Sequence, residues 1–366
     1  MLNRFKIYYN TKSFFDSDQV SFLILYVSNR CNFKCNFCFY YAEIEKGRKV
    51  SELTTEEIRK ISERLGPLIQ LSMTGGEPFL REDLAEITEF FIKNNMARYI
   101  TIPTNASLTG KIVKYLEKIL PAYPNTYFRI AFSIDGIGED HDNIRSFFGS
   151  YKKIIESYNA VSLIRKRYRN LILDSNTVFT SSSQNSILNT IRTLDSDFDF
   201  DNISVTYVRG EIKSPSLKSA SFQKYLELND YLESLHRKKE HRLFYPIWRA
   251  VRDISRQYLI RTVMDNEFIT VCTAGRKLLV VSEVGDVFPC EMLNKSMGNI
   301  RDYNFNMKEL LSSEENKRLL RWIKDSKCRC TFECALASNV LWGKSSRIKL
   351  FKSALKNIGK NYRYRS

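Results

Sequence analysis

The stretch Cys31-Asn32-Phe33-Lys34-Cys35-Asn36-Phe37-Cys38 places three of the chain's eight cysteines within one short segment. It follows the apolar run Val20–Val27, which predicts a buried strand. Three thiolates at this C-x3-C-x2-C spacing are too few to complete a tetrahedral site, but they match the three protein ligands of a cubane 4Fe-4S cluster with one open iron. An open iron indicates a site for chemistry rather than a purely structural one.

The composition is that of an ordinary globular protein. The chain has 366 residues, 43% hydrophobic and 27% charged, and its length favours about two domains. No run approaches the roughly 18 apolar residues of a membrane span. The first ten residues have no apolar signal segment, so we expect a cytoplasmic protein whose thiols stay reduced and available to metals.

Much of the net charge of +16 lies in the C-terminal tail, residues 341–366, which contains no acidic residue. Ile348, Phe351, Leu355 and Ile358 recur there at three- and four-residue steps, which predicts an amphipathic basic helix. Such a helix can simply cover the edge of the last domain in contact with solvent. Alternatively it can contact an anionic membrane surface, a phosphorylated substrate or nucleic acid, and the sequence does not distinguish these.

Between residues 20 and 210, β-rich apolar runs alternate with helical patterns. Thr54 and Glu57 form a capping box at the start of one predicted helix. Six strands alternating with helices predict an α/β fold with a parallel sheet, either open or closed into a partial barrel, with functional residues at the carboxyl ends of the strands. The predicted strands are Val20–Ser28, Leu68–Thr74, Tyr99–Pro103, Tyr127–Ile134, Leu171–Phe179 and Ile203–Val208.

The second predicted strand ends in Gly75-Gly76-Glu77-Pro78. Glycines allow close approach of a ligand to the backbone, and a neighbouring carboxylate can pair with an ammonium group. Taken alone, this tetrapeptide is also compatible with an ordinary turn after a strand.

Together, the cysteine motif after the first strand and Gly-Gly-Glu-Pro after the second resemble the radical S-adenosylmethionine (SAM) superfamily. The resemblance implies a partial (β/α)6 barrel in which Cys31, Cys35 and Cys38 hold a 4Fe-4S cluster. It implies that SAM chelates the open iron, that Gly75, Gly76, Glu77 and Pro78 contact its amine, and that Phe37 lies against the adenine. Reductive cleavage of SAM would yield a 5′-deoxyadenosyl radical, with an electron from a partner such as flavodoxin or ferredoxin.

The same resemblance assigns further SAM contacts to later strand ends. They are Asn105 after the third strand, Ser133 and Asp135 after the fourth, and Asn176 on the fifth. Arg145 resembles the arginine that binds the SAM carboxylate, and an arginine fork suits that group. Ser133 and Asp135 can equally cap a loop or helix, and Arg145 can equally be a surface residue.

The other five cysteines lie between residues 272 and 334. Cys272, Gly285 and Cys290 have the spacing C-x12-G-x4-C, which resembles the twitch/SPASM extension of some radical SAM enzymes. A β-hairpin turning near Gly285 would bring Cys272 and Cys290 together. The resemblance implies one auxiliary 4Fe-4S cluster held by Cys272, Cys290 and Cys334, with the fourth ligand supplied by Cys328 or Cys330. A structural zinc site is the alternative.

We therefore predict four parts: a SAM-binding core (1–210), a helical connector (211–265), an auxiliary-cluster domain of α+β type (266–340) and the basic tail (341–366). The predicted activity is hydrogen abstraction from an unknown small, sugar-like or anionic substrate. Dehydrogenation with the auxiliary cluster as electron acceptor is favoured, and peptide or nucleotide modification is the alternative. A non-catalytic cluster scaffold that binds membrane or nucleic acid through the tail is the alternative of another class. The sequence identifies neither the catalytic residue nor the oligomeric state.

Overall fold

The computed structural model describes residues 16, 19–47, 50–238, 245–343 and 345–363. Its strands form one eight-stranded sheet in the order β6-β5-β4-β3-β2-β1-β7-β8. The strand bounds are β1 Phe22–Ser28, β2 Gln70–Gly75, β3 Tyr99–Thr104, β4 Tyr127–Ser133, β5 Leu171–Phe179, β6 Asn202–Tyr207, β7 Leu278–Val281 and β8 Val287–Phe288.

Strands β1 to β6 are parallel neighbours, which confirms the predicted α/β class. The connections between them carry helices, as parallel pairing requires. The helices up to β6 are α1 Tyr41–Lys46, α2 Thr55–Arg64, α3 Leu84–Asn95, α4 Thr109–Ala122, α5 Glu139–Arg145, α6 Ser150–Arg167 and α7 Ile187–Asp197. The capping box of Thr54 and Glu57 opens α2 as the sequence predicts.

Strand β1 is buried along its whole length because both of its faces are covered. Leu23, Leu25 and Val27 point into the main core, which the helices of the barrel enclose. Phe22, Ile24 and Tyr26, on the opposite face, belong to a second apolar cluster that contains residues from beyond position 270. This alternation follows the two-residue period of a strand, and it explains the unbroken apolar run in the sequence.

The C-terminal part joins the barrel sheet. Strand β7 pairs with β1 in parallel, and β8 returns antiparallel to β7, so the predicted hairpin near Gly285 extends the edge of the sheet. Gly285 has a φ of +91°, a conformation that favours glycine in a tight turn. The hairpin of β7 and β8 is therefore hydrogen-bonded directly to β1, which the cysteine spacing did not reveal.

Helices make up most of the remaining described residues. Helices α8 (Phe222–Lys238) and α9 (Tyr245–Met264) occupy the predicted connector, and α10 Met307–Ser312, α11 Glu314–Asp325 and α12 Glu333–Trp342 follow the hairpin. The tail forms helix α13, Arg347–Arg363. No helix among the described residues is both long and apolar enough to cross a membrane.

One face of α13 packs on the protein and another is open to solvent. Leu350 packs against the main core. Ile348, Phe351 and Leu355 point outward with exposed fractions of 68%, 66% and 51%. The predicted apolar stripe therefore faces solvent over this stretch, and the side chain of Ile358 lies outside the described residues.

Candidate functional site

The loop after β1 brings its three cysteines to one cavity. Cys31, Cys35 and Cys38 line a cavity of about 200 Å³, and so do residues from the carboxyl ends of β2 to β6. The predicted site residues Phe37, Gly75, Gly76, Glu77, Asn105, Ser133, Arg145 and Asn176 line it as well. Parallel strands direct their carboxyl ends to the same side of a sheet, which is why residues so distant in sequence meet here.

Gly75 and Gly76 allow the β2 loop to pack against the cysteine loop. A Cβ atom on Gly76 would lie 2.0 Å from the backbone oxygen of Arg30, and one on Gly75 would lie 2.2 Å from that of Ser28. The backbone N–H of Gly76 donates to Ser28 O (2.8 Å), and that of Glu77 donates to Arg30 O (2.7 Å). The glycine pair therefore serves contact between two loops of the protein, in addition to lining the cavity.

Glu77 connects the ends of β2 and β3. Its carboxylate accepts hydrogen bonds from Thr104 Oγ1 (2.8 Å), Asn105 N (2.8 Å) and Phe79 N (3.2 Å). Burial raises the pKa of Glu77 to about 7, although these hydrogen bonds oppose the shift. A cationic ligand group in the cavity would favour the ionised carboxylate.

Pro78 and Asp135 are not among the described residues that line the cavity, and their contacts with SAM stay predictions. Pro78 is buried and is the first residue of the short 3₁₀ helix Pro78–Leu80. Asp135 Oδ2 accepts from Arg145 Nε (2.5 Å) while its Oδ1 accepts from Val178 N (2.7 Å). Arg145 lines the cavity and Asp135 does not. Asp135 therefore holds the Arg145 guanidinium from the side away from the cavity.

Two asparagines fix the walls of the cavity. Asn105 Nδ2 donates to Asn32 Oδ1 (2.9 Å), which joins the end of β3 to the cysteine loop. Asn176 Oδ1 accepts from Thr206 Oγ1 (3.2 Å) and Ser204 Oγ (3.3 Å) on the neighbouring strand. The guanidinium of Arg145 lies over the ring of Phe37, 5.2 Å from its centroid. The predicted SAM contacts of these residues stay predictions.

A second cavity, of about 240 Å³, gathers four of the remaining cysteines. Cys272, Cys290, Cys328 and Cys330 line it together with apolar side chains. Cys290 follows β8, and Cys272 precedes β7. The hairpin thus brings the first two together as the spacing predicts, and both candidates for the fourth ligand are present.

Cys334 packs against the same apolar cluster as Cys272, Cys290, Cys328 and Cys330, and its role as a ligand stays a prediction. It does not line the second cavity. Burial raises the pKa of its thiol to about 12, and its charged neighbours are Glu291, Arg209 and Glu333. Cys334 is the second residue of α12, four residues after Cys330.

Arg209, which the sequence analysis missed, lies between the two cavities. It lines the first cavity, and it forms ion pairs with Glu291 (3.3 Å) and Glu333 (2.5 Å), the neighbours of Cys290 and Cys334. Its guanidinium also lies over the ring of Phe332, 4.7 Å from the centroid. Arg209 lies two residues after the carboxyl end of β6, the last barrel strand. This position could have identified it as a candidate site residue from the sequence.

The donor sets of both cavities fit iron–sulfur clusters. Burial raises the pKa of Cys31 and of Cys330 to about 12 and that of Cys38 to about 11, so their thiolates need a cationic partner. Across the part of the chain that the structure describes, no three Cys, His, Asp or Glu side chains converge on a single ion. A cubane distributes its thiolates over separate irons, so the cysteines of a cluster site need not meet at one ion.

Comparison with known protein families agrees with this arrangement. Residues 25–194 match the family model of the radical SAM superfamily, and residues 272–335 match that of SPASM, an iron–sulfur cluster-binding domain. The chain belongs to the radical SAM superfamily and carries a C-terminal SPASM domain. Its cofactors are accordingly SAM, the 4Fe-4S cluster of the radical SAM domain and auxiliary iron–sulfur chemistry in the SPASM domain.

Individual relatives are distant. Fe-coproporphyrin III synthase of Methanosarcina barkeri is 30% identical over 142 residues, which cover 37% of this chain and only 33% of that protein. AdoMet-dependent heme synthase of the same organism is 25% identical over 318 residues, 82% of this chain and 84% of that protein. Native anSMEcpe with bound AdoMet and Cp18Cys peptide superposes with a TM-score of 0.57 at 20% identity, covering 94% of this chain and 99% of the other. This last likeness shows the fold.

Proposed function

We propose that this chain is a radical SAM oxidoreductase whose small substrate lies between the two cysteine-lined cavities. The observation that supports this is a third cavity, of about 640 Å³, which we call the central chamber. Phe39 lines both the chamber and the first cavity, and Cys290 lines both the chamber and the second. The volume lies in the range of small-molecule sites.

In this proposal Cys31, Cys35 and Cys38 hold the cluster of the first site, and Cys272, Cys290, Cys328 and Cys330 hold an auxiliary cluster. When bound, the first cluster and SAM supply a 5′-deoxyadenosyl radical for hydrogen abstraction, and the auxiliary cluster supplies an acceptor for one electron. The first cavity binds SAM, with the guanidinium of Arg145 facing its carboxylate. Phe33, Phe37 and Phe39 contribute an apolar wall that keeps water from the reacting atoms.

The test is SAM cleavage by the holoenzyme. The protein is reconstituted anaerobically with iron and sulfide, reduced with dithionite and given SAM, and 5′-deoxyadenosine is measured. We expect product formation and about eight irons per chain. The variant Cys31→Ala/Cys35→Ala/Cys38→Ala should keep about four irons and form no product. A reduced, fully loaded protein that makes no 5′-deoxyadenosine would overturn the proposal and favour the non-catalytic scaffold.

The reductant is part of the same proposal. We expect reduced flavodoxin or ferredoxin to replace dithionite in this assay, since the first cluster needs one external electron for each cleavage. Peptide or nucleotide modification remains the alternative reaction. Analysis of the product separates this alternative from dehydrogenation. Dehydrogenation alone removes two hydrogens from the substrate and attaches no new group to it.

A further inference from the structure

The central chamber has an acidic wall in a protein of net charge +16. Among the described residues that line it are five carboxylates and two lysines. The carboxylates are Glu43, Glu211, Glu283, Asp286 and Glu291, and the lysines are Lys46 and Lys218. The overall charge favoured an anionic substrate, whereas the charges that would face the substrate favour a cationic one.

Glu283 is the carboxylate that the protein satisfies least. Glu283 is only 1% exposed, and the hydroxyl of Tyr40 donates to its Oε2. Its Oε1 is buried and has no hydrogen-bond partner. A buried polar atom without a partner is unfavourable, so a carboxylate of this kind among the residues that line a cavity indicates a donor on the ligand.

Two tyrosine–carboxylate pairs make this wall well defined. Tyr26 donates to Glu291 Oε1 (2.8 Å) as Tyr40 does to Glu283, and the two rings lie 4.6 Å apart between centroids. Glu291 is further neutralised by Arg209, whereas no cation pairs with Glu283 in the described structure. The backbone oxygen of Glu283 accepts from Leu53 N (2.6 Å), which holds the hairpin turn against the barrel.

We propose that the central chamber takes a substrate that bears a protonated amine, and that this amine donates to the carboxylate of Glu283. The inference rests on the proposed function, because it assumes that the chamber is the substrate site. Burial also raises the pKa of Glu283, and a bound ammonium group would restore the ionised carboxylate. A charge-assisted hydrogen bond of this kind is worth about 1.5–3 kcal/mol, roughly tenfold to hundredfold in affinity.

The experiment compares two probes that differ mainly in the ammonium group, Nα-acetyl-lysine amide and Nα-acetyl-norleucine amide. Their binding to the SAM-loaded holoenzyme is measured anaerobically by calorimetry. We expect at least about tenfold tighter binding of the lysine probe. Glu283→Gln should abolish this preference, because it removes the negative charge that attracts the ammonium group, and Glu283→Asp should keep part of it.

Glu45→Gln is the matched control, since Glu45 is exposed on α1, the helix that carries Glu43, and does not line the chamber. It should keep the full preference. Equal binding of the two probes, undetectable binding of the lysine probe, or an unchanged preference in a correctly loaded Glu283→Gln protein would overturn the inference. The 5′-deoxyadenosine assay on the same preparations tests the proposed function separately, so loss of the amine preference with SAM cleavage intact refutes the inference alone.

Discussion

Gly76 and Arg30 are in backbone contact immediately before the first cluster cysteine, and a Cβ atom at position 76 would lie only 2.0 Å from the backbone oxygen of Arg30. Any side chain at position 76 must therefore push the two loops apart. Because Cys31 follows Arg30 directly, the separation would move the first of the three thiols. The Gly-Gly-Glu-Pro segment and the cysteine motif therefore pack so closely that displacing one loop displaces the other.

Gly76→Ala should lower the free energy of unfolding by about 2–4 kcal/mol and reduce the iron bound at the first site. Gly110→Ala is the matched control, because nothing lies within 4 Å of the added Cβ and the position is helical. It should be neutral or stabilise by up to about 1 kcal/mol. Urea unfolding and iron analysis measure both effects, and normal iron content in Gly76→Ala would contradict the argument.

Cys328→Ser and Cys334→Ser should differ in the auxiliary site. In a background without Cys31, Cys35 and Cys38, we expect about four irons to remain in Cys334→Ser and to be lost in Cys328→Ser. The reason is that Cys328 lines the second cavity and Cys334 does not. Iron loss in Cys334→Ser with retention in Cys328→Ser would restore the ligand set that the spacing predicted.

The ion pair between Glu57 and Arg301 should make stability depend on pH. Arg301 Nε donates to Glu57 Oε1 (2.6 Å), joining the segment after the hairpin to α2. The hydrogen bond from Arg301 lowers the pKa of Glu57 to about 2. Because the pKa is depressed in the folded protein, the stabilisation is complete above the unfolded value of about 4.3 and is lost as the pH falls towards 2.

Glu57→Gln should therefore cost about 1 kcal/mol at pH 7, after allowing for solvent screening of this partly exposed pair, and almost nothing near pH 2. Glutamine can still serve the capping box, so the change tests the ion pair. Glu56→Gln on the same helix should have a smaller effect than Glu57→Gln, because the ion pair of Glu56 with Arg59 is exposed and screened by solvent. Urea midpoints at several pH values measure the effect, and a pH-independent difference would refute the assignment.

The outward stripe of α13 should bind anionic lipid. Exposed Ile348, Phe351 and Leu355 lie on a helix that carries lysines and arginines and no acidic residue, a combination typical of interfacial helices. We expect the protein to sediment with phosphatidylcholine vesicles that contain phosphatidylglycerol and to stay in solution with phosphatidylcholine alone. Ile348→Ser/Phe351→Ser/Leu355→Ser should abolish sedimentation. Binding that persists in this variant would indicate that charge alone is responsible.

Much of the fold and of the first site was predictable because the signals are local. The spacing of Cys31, Cys35 and Cys38 lies within one loop, and the alternation of strands and helices orders β1 to β6. The rule that parallel strands end on one side then groups Glu77, Asn105, Ser133 and Asn176 without further information. The place of Asp135 behind Arg145 was not predictable, because a strand-end position does not reveal whether a side chain faces the cavity or holds its neighbour.

The sequence by itself determined the superfamily, the first cysteine site and the hairpin around Gly285, since each depends on residues close together in the chain. The tertiary structure alone decided the pairing of β7 with β1, the place of Asp135 behind Arg145 and the hydrogen bond from Tyr40 to Glu283. These contacts join segments more than 100 residues apart or depend on the direction in which a side chain faces. Sequence spacing carries no information about such distances, because packing of apolar faces sets them only when the whole chain has folded.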